Sequence, residues 1–177
     1  IAAVKPDDTA FVIFSSGTTM KPKACLLSHN SVSMVAGAIA ERLHLTQDDV
    51  FWNPLPLYHL SSHLPLNACR QTGAAFVSHS HFEAGAALAD LERVGATVCY
   101  TAFPALTSAL VDHRDFAKRD LSKLRVQINI GAPDQLAKFA AAIPNALQVA
   151  CYGLTECGGI ATMSSPDDPE EHRIRKV

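Results

Sequence analysis

Residues 14–24 read Phe14-Ser15-Ser16-Gly17-Thr18-Thr19-Met20-Lys21-Pro22-Lys23-Ala24. Four hydroxyls and one glycine fill positions 15–19, with two lysines close behind. A polyphosphate accounts for that density better than a solvated loop does. Hydroxyls and backbone N–H groups donate to phosphate oxygens, a glycine lets the backbone approach closely, and a lysine adds a point charge. The apolar run at 10–14 just ahead reads as a buried strand, and Ser28 or Asn30 is placed to cap a helix behind it. Strand, hydroxyl-rich loop and helix in succession form a phosphate-binding arrangement. The Walker pattern is not met, because no glycine precedes the lysine at its spacing.

Outward from this loop, short β-rich runs alternate with helical patterns. Strands are predicted at 10–14, 50–53, 74–78, 97–101, 126–130 and 147–151. Helices are predicted at 31–43, 61–70, 84–94, 104–111 and 134–143. The 31–43 segment carries Val32, Val35, Ile39 and Leu43 on one face. Gly73 and Gly95 mark helix ends, and Pro104 suits a first turn. This alternation predicts an α/β fold with a mostly parallel sheet flanked by helices and right-handed crossovers. Residues 1–165 read as one domain. The polar, proline-bearing tail at 166–177 reads as a loop or linker.

Fifteen basic against seventeen acidic residues, with no basic cluster, disfavour nucleic acid and anionic membrane surfaces as partners. No apolar stretch approaches the roughly 20 residues of a membrane span, and residues 1–9 lack the apolar core of a signal peptide. Five cysteines without a C-x-x-C pair suggest a reducing, cytoplasmic setting. Cys69 and Cys99 lie in apolar contexts and read as small buried hydrophobes. His79 and His81 would share a strand face, but no carboxylate or thiol stands at ligand spacing, so a solvated strand end is preferred over zinc.

Ser-Ser-Gly-Thr-Thr-x-x-Pro-Lys followed by Leu26-Leu27-Ser28-His29 resembles the phosphate-loop signature of adenylate-forming enzymes. That group holds acyl-CoA synthetases, luciferases and peptide-synthetase adenylation domains. Pro54-Leu55-Pro56-Leu57-Tyr58-His59 resembles the Pro-Leu-aromatic-His segment of acyl-CoA synthetases. Gly131-Ala132-Pro133 resembles a Gly-Gly-Ala-Pro turn, with Ile130 at the first glycine. Tyr152-Gly153-Leu154-Thr155-Glu156 resembles the Tyr-Gly-x-Thr-Glu segment. All four follow predicted strands, where ligands of open α/β sheets gather.

The resemblance implies carboxylate activation by ATP through an acyl-adenylate, then thioester formation with coenzyme A. It assigns Ser15, Ser16, Gly17, Thr18, Thr19 and Lys23 to the β- and γ-phosphates, Glu156 to Mg²⁺ and Thr155 to the α-phosphate. Tyr152 would pack on adenine beside Gly153, with Gly131, Ala132 and Pro133 as the opposite wall of the slot. His59 would sit near the reacting carboxylate. His63 would share its helical face, and His29 would cap or pack at a helix start. The acyl pocket would draw on residues 59–63, 128–130 and 157–160. Ser61-Ser62, where the family often has glycine, implies a narrower or more polar acyl entrance. The subclass implied is acyl- or aryl-CoA synthetase rather than peptide synthetase.

The resemblance also implies that family enzymes are longer, with a ribose-binding aspartate and a small C-terminal domain bearing a catalytic lysine. The 177 residues alone are therefore expected to be inactive. The alternative is a non-catalytic, nucleotide-binding regulatory homologue. Its support is Met20 and Ala24 at positions usually held by glycine, which would be strained if either needed positive φ.

Overall fold

The computed structural model describes residues 3–15 and 21–175. The chain runs β1 (Thr9–Ser15), β2 (Lys23–Ser28), α1 (His29–Arg42), β3 (Val50–Asn53), α2 (Leu60–Thr72), β4 (Ala75–Ser78) and α3 (Ala84–Val94). It continues β5 (Val98–Ala102), α4 (Pro104–Val111), β6 (Val126–Asn129), α5 (Pro133–Ala142), β7 (Leu147–Leu154), β8 (Gly159–Met163) and α6 (Glu170–Arg175). Strands β4-β3-β5-β6-β7-β8 form one sheet in that order. The first five are parallel, and β8 closes the edge antiparallel to β7. The fold is the expected α/β arrangement.

Side chains of the central strands alternate between two cores. Val98 and Tyr100 of β5, with Phe51 of β3, join Ile39 of α1 and Leu64 of α2. Cys99 and Trp52 point the other way, against Leu88 and Leu91 of α3 and Leu110 of α4. A strand buried on both faces needs apolar residues at nearly every position, and the VCYTA of β5 is buried throughout. Gly73 and Gly95 stop α2 and α3 in the left-handed region, at φ 80° and 61°, as their sequence positions suggest. Cys69 and Cys99 are buried.

Four elements depart from the sequence reading. The first strand is not buried in the parallel sheet. It pairs antiparallel with β2 in a separate two-stranded sheet, and its Val12 and Phe14 are exposed. A two-stranded ribbon buries one face only, so Ile13 and Leu27 face inward while Leu26 faces out. The hydroxyl-rich segment is therefore followed by a strand before α1, which starts at His29, two residues ahead of the predicted helix. Ser28 is its N-cap, accepting from the Ser31 N–H at 3.1 Å. The tail is not wholly a loop: α6 packs Ile174 beside Leu136 and Phe139 of α5. Arg173 is buried there, donating to the Asp168 and Gln148 carbonyls. His79 is no solvated strand end either. Its side chain is mostly buried, its ring is tilted against Trp52 with centroids 5.0 Å apart, and it faces Asp90 at 3.4 Å.

At the amino ends of the strands, Asp49 ties three segments together. Arg125 donates to it through Nε and Nη2, both at 2.9 Å, while the Thr97 hydroxyl donates at 2.6 Å and the Thr46 N–H at 2.9 Å. Burial pushes the Asp49 carboxyl up, but these donors outweigh it and hold the pKa below the ordinary value. Asp49→Ala should destabilise the protein by about 2–3 kcal/mol in urea unfolding at neutral pH. Because the folded pKa is the lower one, the stabilisation is full above the unfolded carboxylate pKa and is lost as pH falls through the folded value. The gap between wild type and variant should close in acid. A gap independent of pH would contradict this account.

Candidate functional site

The carboxyl ends of β5, β6 and β7, the start of α2 and the end of β1 surround one cavity of about 700 Å³. Its floor is apolar and fully covered: Leu60, Leu64, Tyr100, Ala102 and Cys151 are all buried. Its rim is polar or exposed: Ser15, His59, Phe103, Leu154, Thr155 and Glu156. An apolar chamber with polar groups gathered on one side suits a ligand with an apolar end and a reactive polar end.

Of the residues singled out in the sequence, Ser15, His59, Gly153, Thr155 and Glu156 line this one cavity. The Ser15 hydroxyl donates to Glu156 Oε1 at 2.6 Å across 141 residues of sequence. That bond lowers the Glu156 pKa, with smaller help from its own backbone N–H and from the charge of Lys23. Lys23 is the register partner of Ser15 on β2, which places it beside the same mouth. Thr155 and Glu156 sit on a 3-10 turn that follows β7. His59 is the N-cap of α2. Its Nδ1 accepts from the Ser61 N–H at 3.3 Å and lies 3.1 Å from the Ser61 hydroxyl. Both contacts use Nδ1 of a residue that lines the cavity.

Gly131, Ala132, Pro133 and Tyr152 do not line the cavity. They directly follow or precede lining residues Ile130 and Gly153, and they face solvent. Tyr152 is 57% exposed, so it is not a core tyrosine. A Cβ on Gly131 would crowd Pro104 Cγ at 3.2 Å, which gives that glycine a packing role as well. Ala132 caps α5 and Pro133 opens it. Ser16, Gly17, Thr18, Thr19 and Met20 lie outside the described residues. Ala24 is extended within β2 opposite Phe14, so its side chain meets no positive-φ penalty.

The acyl-pocket expectations are corrected in part. Ser61 lines the cavity, but Ser62 is buried and spends its hydroxyl on the Leu55 carbonyl at 2.8 Å. Ile130 and Ile160 line it, whereas Ile128 is core and Cys157 does not reach it. His63 faces away from the cavity, against Phe11 at 4.7 Å, and burial lowers its pKa. The sequence reading missed Phe14, Tyr100, Phe103 and Cys151. Only the position of Phe103, two residues beyond the strand predicted at 97–101, signalled a role.

The comparisons with known proteins bear on this arrangement. The AMP-binding enzyme family profile matches residues 1–177. The chain belongs to the AMP-binding enzyme family. It is 35% identical over 173 residues to 4-coumarate--CoA ligase 2 of Oryza sativa subsp. japonica, covering 91% of this chain and 30% of that protein. It is 31% identical over 171 residues to a Mycobacterium tuberculosis ligase named 3-[(3aS,4S,7aS)-7a-methyl-1,5-dioxo-octahydro-1H-inden-4-yl]propanoyl:CoA ligase, covering 94% and 34%. Among solved structures, ATP-bound MatB from Rhodopseudomonas palustris superposes with a TM-score of 0.82 at 25% identity, over 94% of this chain and 33% of that one. The inhibitor-bound N-terminal domain of FACL13 from Mycobacterium tuberculosis gives a TM-score of 0.80 at 29% identity, over 92% and 41%. The chain thus spans about a third of the length of the curated relatives it matches.

The cavity wall depends on a close backbone approach between β7 and β8. A Cβ on Gly153 would run into the Gly159 carbonyl, and one on Gly159, at φ 110°, into Leu64. Gly153→Ala should therefore cost about 1–3 kcal/mol in thermal or urea unfolding, because backbone blocks the new methyl. An unchanged midpoint would refute this reading of the crossing. Separately, Ser15→Ala should let the Glu156 carboxyl rise toward the ordinary value, followed by NMR titration of that side chain.

Proposed function

We propose that this chain is the carboxylate-activating part of an AMP-forming acid–CoA ligase. The observation that carries it is the Ser15–Glu156 hydrogen bond, which brings the hydroxyl-rich segment and the Thr-Glu turn together at the mouth of an apolar cavity. The named relatives, CoA ligases of 4-coumarate and of a ring-bearing propanoate, support the same chemistry.

In this reading the substrate carboxylate oxygen attacks the α-phosphorus of ATP. An acyl–O–P bond forms, the bond to the β-phosphate oxygen breaks, and pyrophosphate leaves. The sulfur of coenzyme A then attacks the acyl carbon and AMP departs. Ser15, Ser16, Gly17, Thr18, Thr19 and Lys23 hold the β- and γ-phosphates, and Thr155 holds the α-phosphate. Tyr152, Gly131, Ala132 and Pro133 border the adenine, outside the acyl cavity, and Gly153 stands where the two meet. His59 lies near the reacting carboxylate. Two anions must meet, so neutralisation and alignment supply most of the catalysis.

Glu156 suits Mg²⁺. It is an exposed carboxylate kept ionised by its donors, and no set of three or more His, Cys, Asp or Glu that could hold a metal occurs among the described residues. A hard cation held by one carboxylate, phosphate oxygens and waters fits that donor set. Bound there, Mg²⁺ would supply charge for the departing pyrophosphate. The five free cysteines support a reducing, cytoplasmic setting. Among the described residues no helix is long and apolar enough to cross a membrane.

The test is pyrophosphate release by the full-length protein containing this chain, with ATP, Mg²⁺, coenzyme A and a panel of carboxylic acids. Acid-dependent release is expected, with kcat/KM about a hundredfold lower in Glu156→Ala and in Lys23→Ala. The 177 residues alone should give none. ATP binding by the full-length protein without release for any acid would transfer the reading to a regulatory nucleotide-binding homologue.

A further inference from the structure

Away from the cavity, two covered ring nitrogens meet on the α3 side of the sheet. Trp52 of β3 is fully buried, and its Nε1 has no hydrogen-bond partner among the described residues. His79 follows β4 directly, and its ring lies against Trp52 with centroids 5.0 Å apart and planes at 56°. The His79 side chain is 16% exposed, and its Nε2 is covered and likewise makes no hydrogen bond. Yet Asp90 Oδ2 of α3 is 3.4 Å from that nitrogen. A covered polar atom without a partner costs free energy, so two in one contact need a physical account. Both nitrogens are covered by this chain's own atoms, so the contact does not depend on segments outside the 177 residues.

Asp90 is set to receive a donor at that oxygen. Arg93 Nε and Nη2 donate to its Oδ1 at 3.0 and 2.7 Å, which fixes the carboxylate and leaves Oδ2 toward His79. A neutral imidazole carries one N–H, on either nitrogen, whereas the charged ring carries both. Charging the ring therefore guarantees a donor at Nε2, and a carboxylate is a strong acceptor for it. Around the ring, α3 presents Asp90 and, through it, Arg93, while β3 presents the neutral Trp52. In the loop from β4 to α3, His81 lies 3.1 Å from the Ser80 hydroxyl, and Glu83 spends its carboxylate on the Gly85 and Ala86 N–H groups. Strand β4 is the edge of the sheet and pairs with β3 alone, so a tie to α3 restrains an element with one sheet neighbour.

We propose that His79 and Asp90 form a pH-responsive clamp: protonation of the imidazole closes an Nε2–H···Oδ2 bond that fastens the end of the edge strand β4 to α3 over Trp52. Histidine is the side chain whose ordinary charge change falls between about pH 5 and 8. The clamp closes toward the acid side and opens toward the alkaline side. It stands apart from the cavity and from the ligase reading.

The test uses the full-length protein containing this chain, labelled with fluorotryptophan, with the Trp52 signal identified by its loss in Trp52→Phe. Its fluorine NMR shift is followed from about pH 5 to about pH 8.5. In wild type the signal should move along a single titration curve. His79→Gln should abolish that movement. Asp90→Asn should displace its midpoint to lower pH, because a neutral amide no longer favours the charged ring. Thermal unfolding of each variant reports its folding. A Trp52 signal that stays still in wild type, or a midpoint left in place by a folded Asp90→Asn, overturns the clamp. Crystals of the wild-type protein grown near the two ends of that pH range need no variant. Nε2 and Oδ2 should lie about 2.8 Å apart at the acid end and farther apart at the other. Equal distances at both ends overturn the clamp even if every variant fails to fold.

Discussion

The buried amide of Asn129 is the constraint on which the cavity depends. Its Oδ1 accepts from the hydroxyls of Thr101 and Thr107, and its Nδ2 donates to Gln148 Oε1 at 3.0 Å. These four side chains come from β5, α4, β6 and β7, and all are buried. A buried polar group without a partner costs roughly 1–3 kcal/mol, so sliding one strand would strand several donors at once. Hydrocarbon packing alone would tolerate such a slip more readily. The network thereby converts a sheet that needs only to be apolar into one with a single register at its ligand-binding end. It extends to the tail as well: Gln148 Nε2 donates to the Val149 carbonyl at 2.7 Å, and Arg173 of α6 caps the Gln148 carbonyl at 3.1 Å.

Register matters because the cavity is built from strand ends. Ala102, Ile130 and Gly153 each stand at or beyond the point where β5, β6 and β7 leave their parallel pairing. Ala102 holds a left-handed φ that disfavours any L-residue by about 1 kcal/mol. The Thr101–Thr107–Asn129 contacts on one side and the Ile130 N–H on the other offset that strain. At the far wall the limit is steric, since Gly153 meets the backbone of β8 closer than a Cβ permits and Gly159 sits at φ 110° against Leu64 of α2. One wall is thus fixed by hydrogen bonds and the other by the absence of side chains.

The difference between these devices explains what the sequence made legible. Ser15, His59, Thr155 and Glu156 could be singled out because each lies in a segment that resembles a family motif and follows a predicted strand, and all four line the one cavity. The helices at 84–94 and 104–111 matched the structure to the residue, since glycine and proline mark their ends. Tyr100 and Cys151 were not readable as cavity floor. A strand buried on both faces has the same apolar pattern whether a residue meets another side chain or an empty chamber. β2 hid because KACLLS alternates only weakly, and β8 because its first residue is a glycine. α6 hid because only Arg173 and Ile174 are buried in a polar run, and a buried arginine gives no hydrophobic signal. Asn129, Gln148 and Thr107 left no trace beyond ordinary polar residues, although they hold the site together.

The position of Ala24 bears on the choice between an enzyme and a degenerate binder. Loss of a glycine argues for decay only where the backbone needs glycine. Ala24 sits in an antiparallel ladder opposite Phe14, in backbone that every L-residue adopts, so its methyl is neutral. Where backbone geometry does demand glycine around the cavity, at Gly153 and Gly159, glycine is present. The carboxylate at the cavity mouth, held ionised by a hydroxyl from the opposite end of the chain, is the feature that a reactive site needs there.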